Sequence, residues 1–434
     1  MNGDQFNQEF FSYLKSSPTP FHAVANVEDY FLGKGFIRLD EASNWNLLPG
    51  QSYFVSRENG AIIAFSLGTK TPPEHGFRIL AAHTDSPCLQ IKPLADIAEN
   101  SFLKLGVEVY GGCLLNSWFD RDLSLADRVC CETDGSDLDT LLVDFKRAML
   151  TIPSVAIHLD REANKNKTIN QQYHLPPVIA QGVEGQIPNL NAILLDQLHV
   201  LYPDKAIRSI LSFDLFCYDS QPPVQLGQKK ELISAGRLDN LLSCFVGMIA
   251  LAEAENSYNN LLIYTNHEEN GSVSATGASG AFVDSILERI FPKPATRRIA
   301  LHNSFLVSMD NAHATHPNFN DKSDPAHRVF LNKGPVIKNN ANQRYATNSI
   351  SAAIYKQICK KAGVTPQEFV MRSDMPCGST VGPMTAARLG IKTIDIGAPT
   401  LAMHSIRELT GSEDPYLLYR TINQFFKTDF FQIS

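Results

Sequence analysis

Residues 261–265, LLIYT, form an apolar run that stops at a polar one, NHEENGS at 266–272. An unbroken apolar run bounded by a Gly-containing turn predicts a strand buried on both faces, as in a parallel sheet. The same pattern recurs at 77–82 (FRILAA, then HTDSP), at 305–309 (FLVSM, then DNAH) and at 392–396 (KTIDI, then GAP). Residues 52–55 and 61–67 also read as strands. Helical spacing of apolar positions predicts helices over 4–16, 21–34 (closed by Gly35), 238–254, 281–290, 350–362 and 417–428. Strands alternating with helices imply an α/β fold, a mostly parallel sheet covered by helices.

Between 89 and 231 the pattern changes. It alternates and is rich in turns: LKLGVEVYGG at 103–112, CETDGSD at 131–137 as a hairpin tip, and a helix over 186–200. The run IPSVAIHLD, 152–160, reads as a strand on which His158 alternates with Val155 and Ile157. We therefore expect an α/β domain of residues 1–88 and 232–434, interrupted by a β-rich domain of residues 89–231.

Hydrophobic residues make up 44% of the 434 and charged residues 19%, enough apolar material for large cores. The net charge of −7, with no basic stripe, argues against nucleic acid and anionic membranes as partners. No apolar run approaches the ~20 residues of a membrane span. The first ten residues hold neither a basic nor an apolar leader region, and the eight cysteines are scattered without a C-x-x-C. They read as reduced, mostly buried thiols in a cytoplasmic protein.

The polar ends of the strands carry the chemistry. Glu268 and Glu269 are adjacent carboxylates, a costly pair in a cleft unless a cation lies beside them or one holds a proton. His83, Asp310 and His404 follow buried strands, and Asp239 opens the helix at 238–254. An open α/β sheet places its ligands outside the carboxyl ends of its strands. Imidazoles and carboxylates without thiols suit zinc above all, with manganese or cobalt accepted by the same donors. The segment HEENG at 267–271 is not an HExxH site, because position 271 is Gly, and there is no P-loop and no GxSxG.

The motifs HTDSP (83–87), SAGRLDN (234–240), NHEENGS (266–272), SMDNAHATHPN (308–318), NANQRYATN (340–348), PCGST (376–380) and LAMHSIRE (401–408) resemble those of the aspartyl aminopeptidase family. SPTPFHAV at 17–24, which holds His22, and the IHLDR segment look like that family too. The resemblance runs nearly end to end. It implies a co-catalytic dizinc exopeptidase that removes N-terminal amino acids, preferably Asp or Glu, from peptides. It also implies that the β-rich domain mediates dimerisation. Asp239 then bridges both zincs, His83 and Asp310 bind one, and Glu269 and His404 bind the other. Glu268 is the general base; spacing alone does not order the two glutamates. Asp85 orients His83, although an Asp there also suits a turn. Lys338 resembles the pocket lysine for acidic side chains, with Arg344 and Arg372 as further cations. His158 resembles a residue that reaches a neighbouring subunit's site. That role requires a closed homo-oligomer, at least a dimer and by resemblance a dodecamer.

Overall fold

A computed structural model of the chain describes residues 2–69, 75–134, 137–182, 189–255 and 257–428. The chain divides into two compact units, one of residues 1–85, 223–403 and 408–434, the other of residues 86–222 and 404–407.

The first unit begins with α1 (Gly3–Ser16), α2 (Pro20–Gly33), β1 (Ile37–Arg38), β2 (Ser52–Arg57), β3 (Ala61–Ser66) and β4 (Arg78–His83). The second unit follows with β5 (Cys88–Glu99), β6 (Phe102–Tyr110), β7 (Leu123–Thr133), β8 (Leu138–Asp144), α3 (Ala163–Asn166), α4 (Gln171–His174), β9 (Val178–Gln181), α5 (Leu190–Leu201) and β10 (Ile207–Asp219). The chain then returns through β11 (Val224–Leu226), β12 (Leu232–Ala235), α6 (Leu238–Ala252), β13 (Asn260–Thr265), α7 (Phe282–Ile290), α8 (Pro294–His302), β14 (Phe305–Met309) and β15 (Ala312–His313). It closes with β16 (Val336–Asn339), α9 (Ser349–Ala362), β17 (Gln367–Val370), α10 (Val381–Leu389), β18 (Lys392–Gly397), β19 (Pro399–Leu401), β20 (Glu408–Gly411) and α11 (Asp414–Phe426).

The first unit is built on a nine-stranded sheet in the order β1-β2-β3-β13-β4-β14-β18-β16-β17. Its centre, β13, β4, β14 and β18, is parallel. Side chains alternate along each strand. Leu80, Leu262 and Val307 enter one core with α1, α2, α6, α9 and α11. Ile79, Leu261 and Leu306 enter another with α7. Both faces are dry, which is why these strands read as unbroken apolar runs. The register pairs Thr265 with His83 and Ser308 with Ala81, so the polar segments after β4, β13 and β14 leave the same edge of the sheet. A five-stranded sheet, β11-β12-β20-β19-β15, completes this unit.

The second unit is a six-stranded antiparallel sheet, β8-β7-β10-β5-β6-β9. One of its faces shares a core with Leu190, Leu194 and Leu198 of α5. That helix starts at an Asn189 cap, later than the expected residue 186; residues 186–188 lie outside the described residues. The strand expected over 152–160 does not form. Residues 157–159 make a turn, with the Leu159 and Asp160 N–H groups donating to Ala156 O. Val155, Ile157 and Leu159 are 62%, 47% and 83% exposed, so the apolar alternation has no core to face.

Candidate metal centre

His83 ends β4 and is buried. Its Nε2 lies 3.5 Å from Asp239 Oδ1 and 3.8 Å from Asp310 Oδ1. The ligating atoms of His83, Asp239 and Asp310 all lie within 4.8 Å of one another. Those of His83, Glu268 and Glu269 do likewise, and Asp239 and Glu269 also approach within 4.8 Å. Four stretches far apart in sequence thus converge on one place.

Each is held there by local structure. Asp239 precedes the regular part of α6, because Asp239 and Asn240 have non-helical backbone angles. The Asp239 N–H donates to Glu408 Oε2 at 2.9 Å, and Asn240 Nδ2 donates to Met309 O at 2.8 Å. These two bonds tie the start of the helix to β20 and to the end of β14. The Asp310 N–H donates to Ile396 O, which extends the β14–β18 ladder by one residue. Glu268 and Glu269 sit on a single 3-10 turn between His267 and Gly271, both of positive φ. Asp85, fully buried, receives the Glu268 N–H on Oδ1 at 3.2 Å and the Glu269 N–H on Oδ2 at 3.1 Å.

That arrangement gives Asp85 a task that sequence reading missed. The His83 Nδ1 lies 3.1 Å from the main-chain oxygen of Asp85 and 3.5 Å from its carboxylate. The carbonyl is the better-placed acceptor for the ring, while the carboxylate clamps the turn that carries both glutamates. Glu408 and Asn240 were missed as well, although both lie inside quoted motifs.

The electrostatics are those of crowded carboxylates. Burial pushes the Glu268 carboxyl up to about 8; Asp310, Asp85 and Asp239 add to the rise and His83 opposes it. Burial and the Asp239 charge raise Glu269 well above its ordinary value. Burial would lower the His83 pKa, but hydrogen bonding to Asp239, Asp310 and Asp85 outweighs it and the net direction is upward. For Asp310, the rise due to burial is outweighed by Lys338 and His83, which hold the carboxyl below the usual range. The donors are carboxylate oxygens and an imidazole nitrogen, without thiolate, and they fit zinc or a related divalent ion. A dication among them would remove the mutual repulsion that otherwise favours protonation.

The remaining candidates are held as follows. Lys338 is 2% exposed; its Nζ donates to Asn311 O at 3.1 Å and lies 3.5 Å from Asp310 Oδ2, with the Tyr345 ring centroid at 5.0 Å. The ammonium therefore sits against a member of the cluster. Arg344 is exposed, and Arg372 is engaged by Asp374 in a two-pronged pair. His22 lies in α2, its Nδ1 2.8 Å from the capping Thr19 hydroxyl. His404 belongs to the segment 404–407 of the second unit, where its Nδ1 is 3.0 Å from Gly112 O and its carbonyl accepts the Leu114 N–H. His158 lies on the exposed turn described above. Among the described residues, no helix is long and apolar enough to cross a membrane.

The model of the family described as aminopeptidase I zinc metalloprotease (M18) matches residues 13–426. The chain is 48% identical over 428 residues to a probable M18 family aminopeptidase 2 of Stutzerimonas stutzeri (strain A1501), covering 98% of this chain and 99% of that one. A protein of the same description from Pseudomonas aeruginosa (strain UCBPP-PA14) is 48% identical over 425 residues, covering 97% of this chain and 98% of that one. Among solved structures, a chain from the cryo-EM structure of the Ape4 and Nbr1 complex superposes with a TM-score of 0.95 at 38% identity, over 98% of this chain and 86% of that one. An M18 aminopeptidase from Thermotoga maritima, at 22% identity and a TM-score of 0.85 over 98% of this chain and 96% of that one, shares the fold. The donor cluster at the sheet edge suits zinc, and the chain belongs to the M18 family of zinc aminopeptidases.

Proposed function

We propose that the enzyme removes N-terminal acidic residues from peptides, with two zinc ions per chain held by His83, Asp239, Glu269, Asp310 and His404. The observation that carries the reading is the convergence of His83, Asp239 and Asp310, with Glu268 and Glu269 beside them, within 4.8 Å groupings. Two divalent ions bound there would supply Lewis acidity toward a water and toward the scissile carbonyl. Asp239, within 4.8 Å of His83 and Asp310 and also of Glu269, is the carboxylate suited to serve both ions. His404 enters through the motif LAMHSIRE; Glu408, four residues on, accepts the Asp239 N–H.

Glu268 is the proton carrier of this reading. Burial and the neighbouring carboxylates raise its carboxyl in the metal-free site, and bound cations would draw it back down, so that it can take a proton from the water and return it to the leaving amine. Asp85 holds it by the main chain, leaving the carboxyl group of Glu268 to act. Lys338 is the cation for acidic side chains, and its closeness to Asp310 supports placing that preference beside the metals. His158 is offered to a second copy of the chain, consistent with an exposed turn that also displays Val155, Ile157 and Leu159. The β-rich unit then serves dimerisation. One structural relative is described as an S. cerevisiae mApe1 dodecamer, at 26% identity and a TM-score of 0.84, and a dodecamer is the assembly we propose here.

The test is Glu268→Gln. It should retain two zinc ions per chain by elemental analysis while kcat on an aspartyl-linked chromogenic substrate falls at least ~10²-fold. Loss of one zinc instead would mean that the two glutamates have exchanged roles. Full activity of protein stripped of metal by a chelator would overturn the reading.

A further inference from the structure

A cavity of about 330 Å³ opens in the first unit beyond the end of β14. Its walls include Phe319, Phe369, Met371, Met375, Leu401 and Met403. His313 also lines it, three residues after Asp310. An extended chain spans roughly 3.3–3.6 Å per residue, so that wall begins about 10 Å along the chain from the metal cluster. β15, which carries His313, is paired in parallel with β19, which brings Thr400 and Leu401 to the same cavity. The cavity is therefore rooted in the same strand ends as the proposed ligands.

We infer that this cavity is the pocket for the second residue of the substrate, and that it selects apolar side chains there. The inference rests on the peptidase reading above and adds a second specificity position to it. An acidic first side chain would be directed to Lys338, a buried ammonium beside Asp310. The cavity is lined mainly by apolar groups, two phenyl rings, a leucine and three thioethers, alongside Lys322, Ser323, Thr400 and the imidazoles of His313 and His316. Such walls gain by burying apolar surface. Thioether side chains adapt to differently shaped partners and make favourable sulfur–aromatic contacts, so leucine, methionine and phenylalanine should all be accepted. Its volume, at the low end for ligand pockets, has room for any of these side chains.

The experiment measures kcat/KM of the zinc-loaded full-length enzyme on peptides Asp-X-Ala, with X as Gly, Ser, Leu, Met or Phe. The apolar members should exceed X = Gly by about 10-fold or more, the scale of discrimination in an apolar pocket. Calorimetric binding to the Glu268→Gln enzyme, which should hold peptides without turnover, should show the same order. Met371→Glu should bring the Leu-to-Gly ratio toward one, and Met375→Glu is the second variant if the first fails to fold. A flat series on an enzyme that cleaves Asp-Gly-Ala would overturn the inference. So would a variant that changes the preference at the first residue instead of the second. If aspartyl peptides are not cleaved, the acidic preference fails, and the same X series behind whichever first residue is cleaved still decides the role of the cavity.

Discussion

Asp85 offers the sharpest test of how the centre is held. It is fully buried, and its two carboxylate oxygens receive the Glu268 and Glu269 N–H groups at 3.2 and 3.1 Å. A hydrogen bond to a charged group contributes about 1.5–3 kcal/mol, so the pair clamps the glutamate turn by roughly 3–6 kcal/mol. Asp85→Ala removes both bonds. Asp85→Asn keeps the shape but turns an NH2 group toward one of the two donors, and should cost about half as much. The His83 ring keeps its acceptor in either variant, because Nδ1 lies 3.1 Å from the main-chain oxygen of residue 85. The grouping of His83, Asp239 and Asp310 should therefore survive while Glu269 is loosened. In a stepwise competition with a chelator, one zinc equivalent of Asp85→Ala should weaken about 10–100-fold, the usual cost of losing a ligand's support, and the other should stay near wild type. Thermal unfolding of the metal-free proteins, run in parallel, separates this from a general loss of stability. Wild-type affinity for both zincs, or equal weakening of both, would refute the reasoning.

Three further outcomes follow from the same geometry. Lys338→Leu, assayed at saturating zinc, should lower kcat/KM for aspartyl substrates more than for neutral ones; an equal loss on both would reject the specificity role. His158→Phe and Glu268→Gln should each be nearly inactive alone yet recover activity when mixed under subunit exchange, since one site of a mixed pair regains both residues; exchange without recovery would show that His158 does not act across an interface. Burial pushes the Asp414 carboxyl up to about 7 against the N–H groups of Asn332, Gly334 and Gly411. Its unfolded value is near 3.9, so the fold binds this proton more tightly. The resulting stability is present below about pH 4 and is lost, at roughly 1.4 kcal/mol per unit, as pH rises toward 7. Asp414→Asn should lack this slope, and an unfolding free-energy difference between the two proteins that stays flat from pH 5 to 8 would contradict it.

What the sequence made legible was whatever a local pattern can encode. β4, β13 and β14 stood out because both faces of the sheet are buried and leave no polar register to confuse the signal. The polar turns after them marked His83, Glu268, Glu269 and Asp310, since a parallel sheet discharges its strands at one edge. α8 was missed because PATRRIALH carries no apolar stripe; only Ala300 is buried. The four-residue strands β16 and β17 escaped because they have too few residues to establish a period. The run at 152–160 failed in the other direction. It alternates like a strand, yet Val155, Ile157 and Leu159 are exposed and the segment makes a turn instead.

The site separates the same two kinds of information. Residue type and placement after a strand suggested the ligands, but not what holds them. Asp85 clamps a turn 183 residues away and Glu408 fixes a main chain 169 residues away. No spacing rule spans such distances, because these pairings exist only once the sheet has formed. Lys338 shows why the distinction matters. As a sequence element it resembled a pocket lysine for acidic side chains, and otherwise read as a solvated lysine on a loop. In the fold it is buried with its ammonium on Asp310. A charge so placed belongs first to the cluster, since leaving Asp310 without it would strand a buried carboxylate. Any attraction it exerts on a substrate's acidic side chain must be what remains after Asp310 is shared with the metals. On this argument, acidic specificity depends on metal loading, so a form that keeps activity with only one zinc bound should discriminate less between aspartyl and neutral substrates than the fully loaded enzyme.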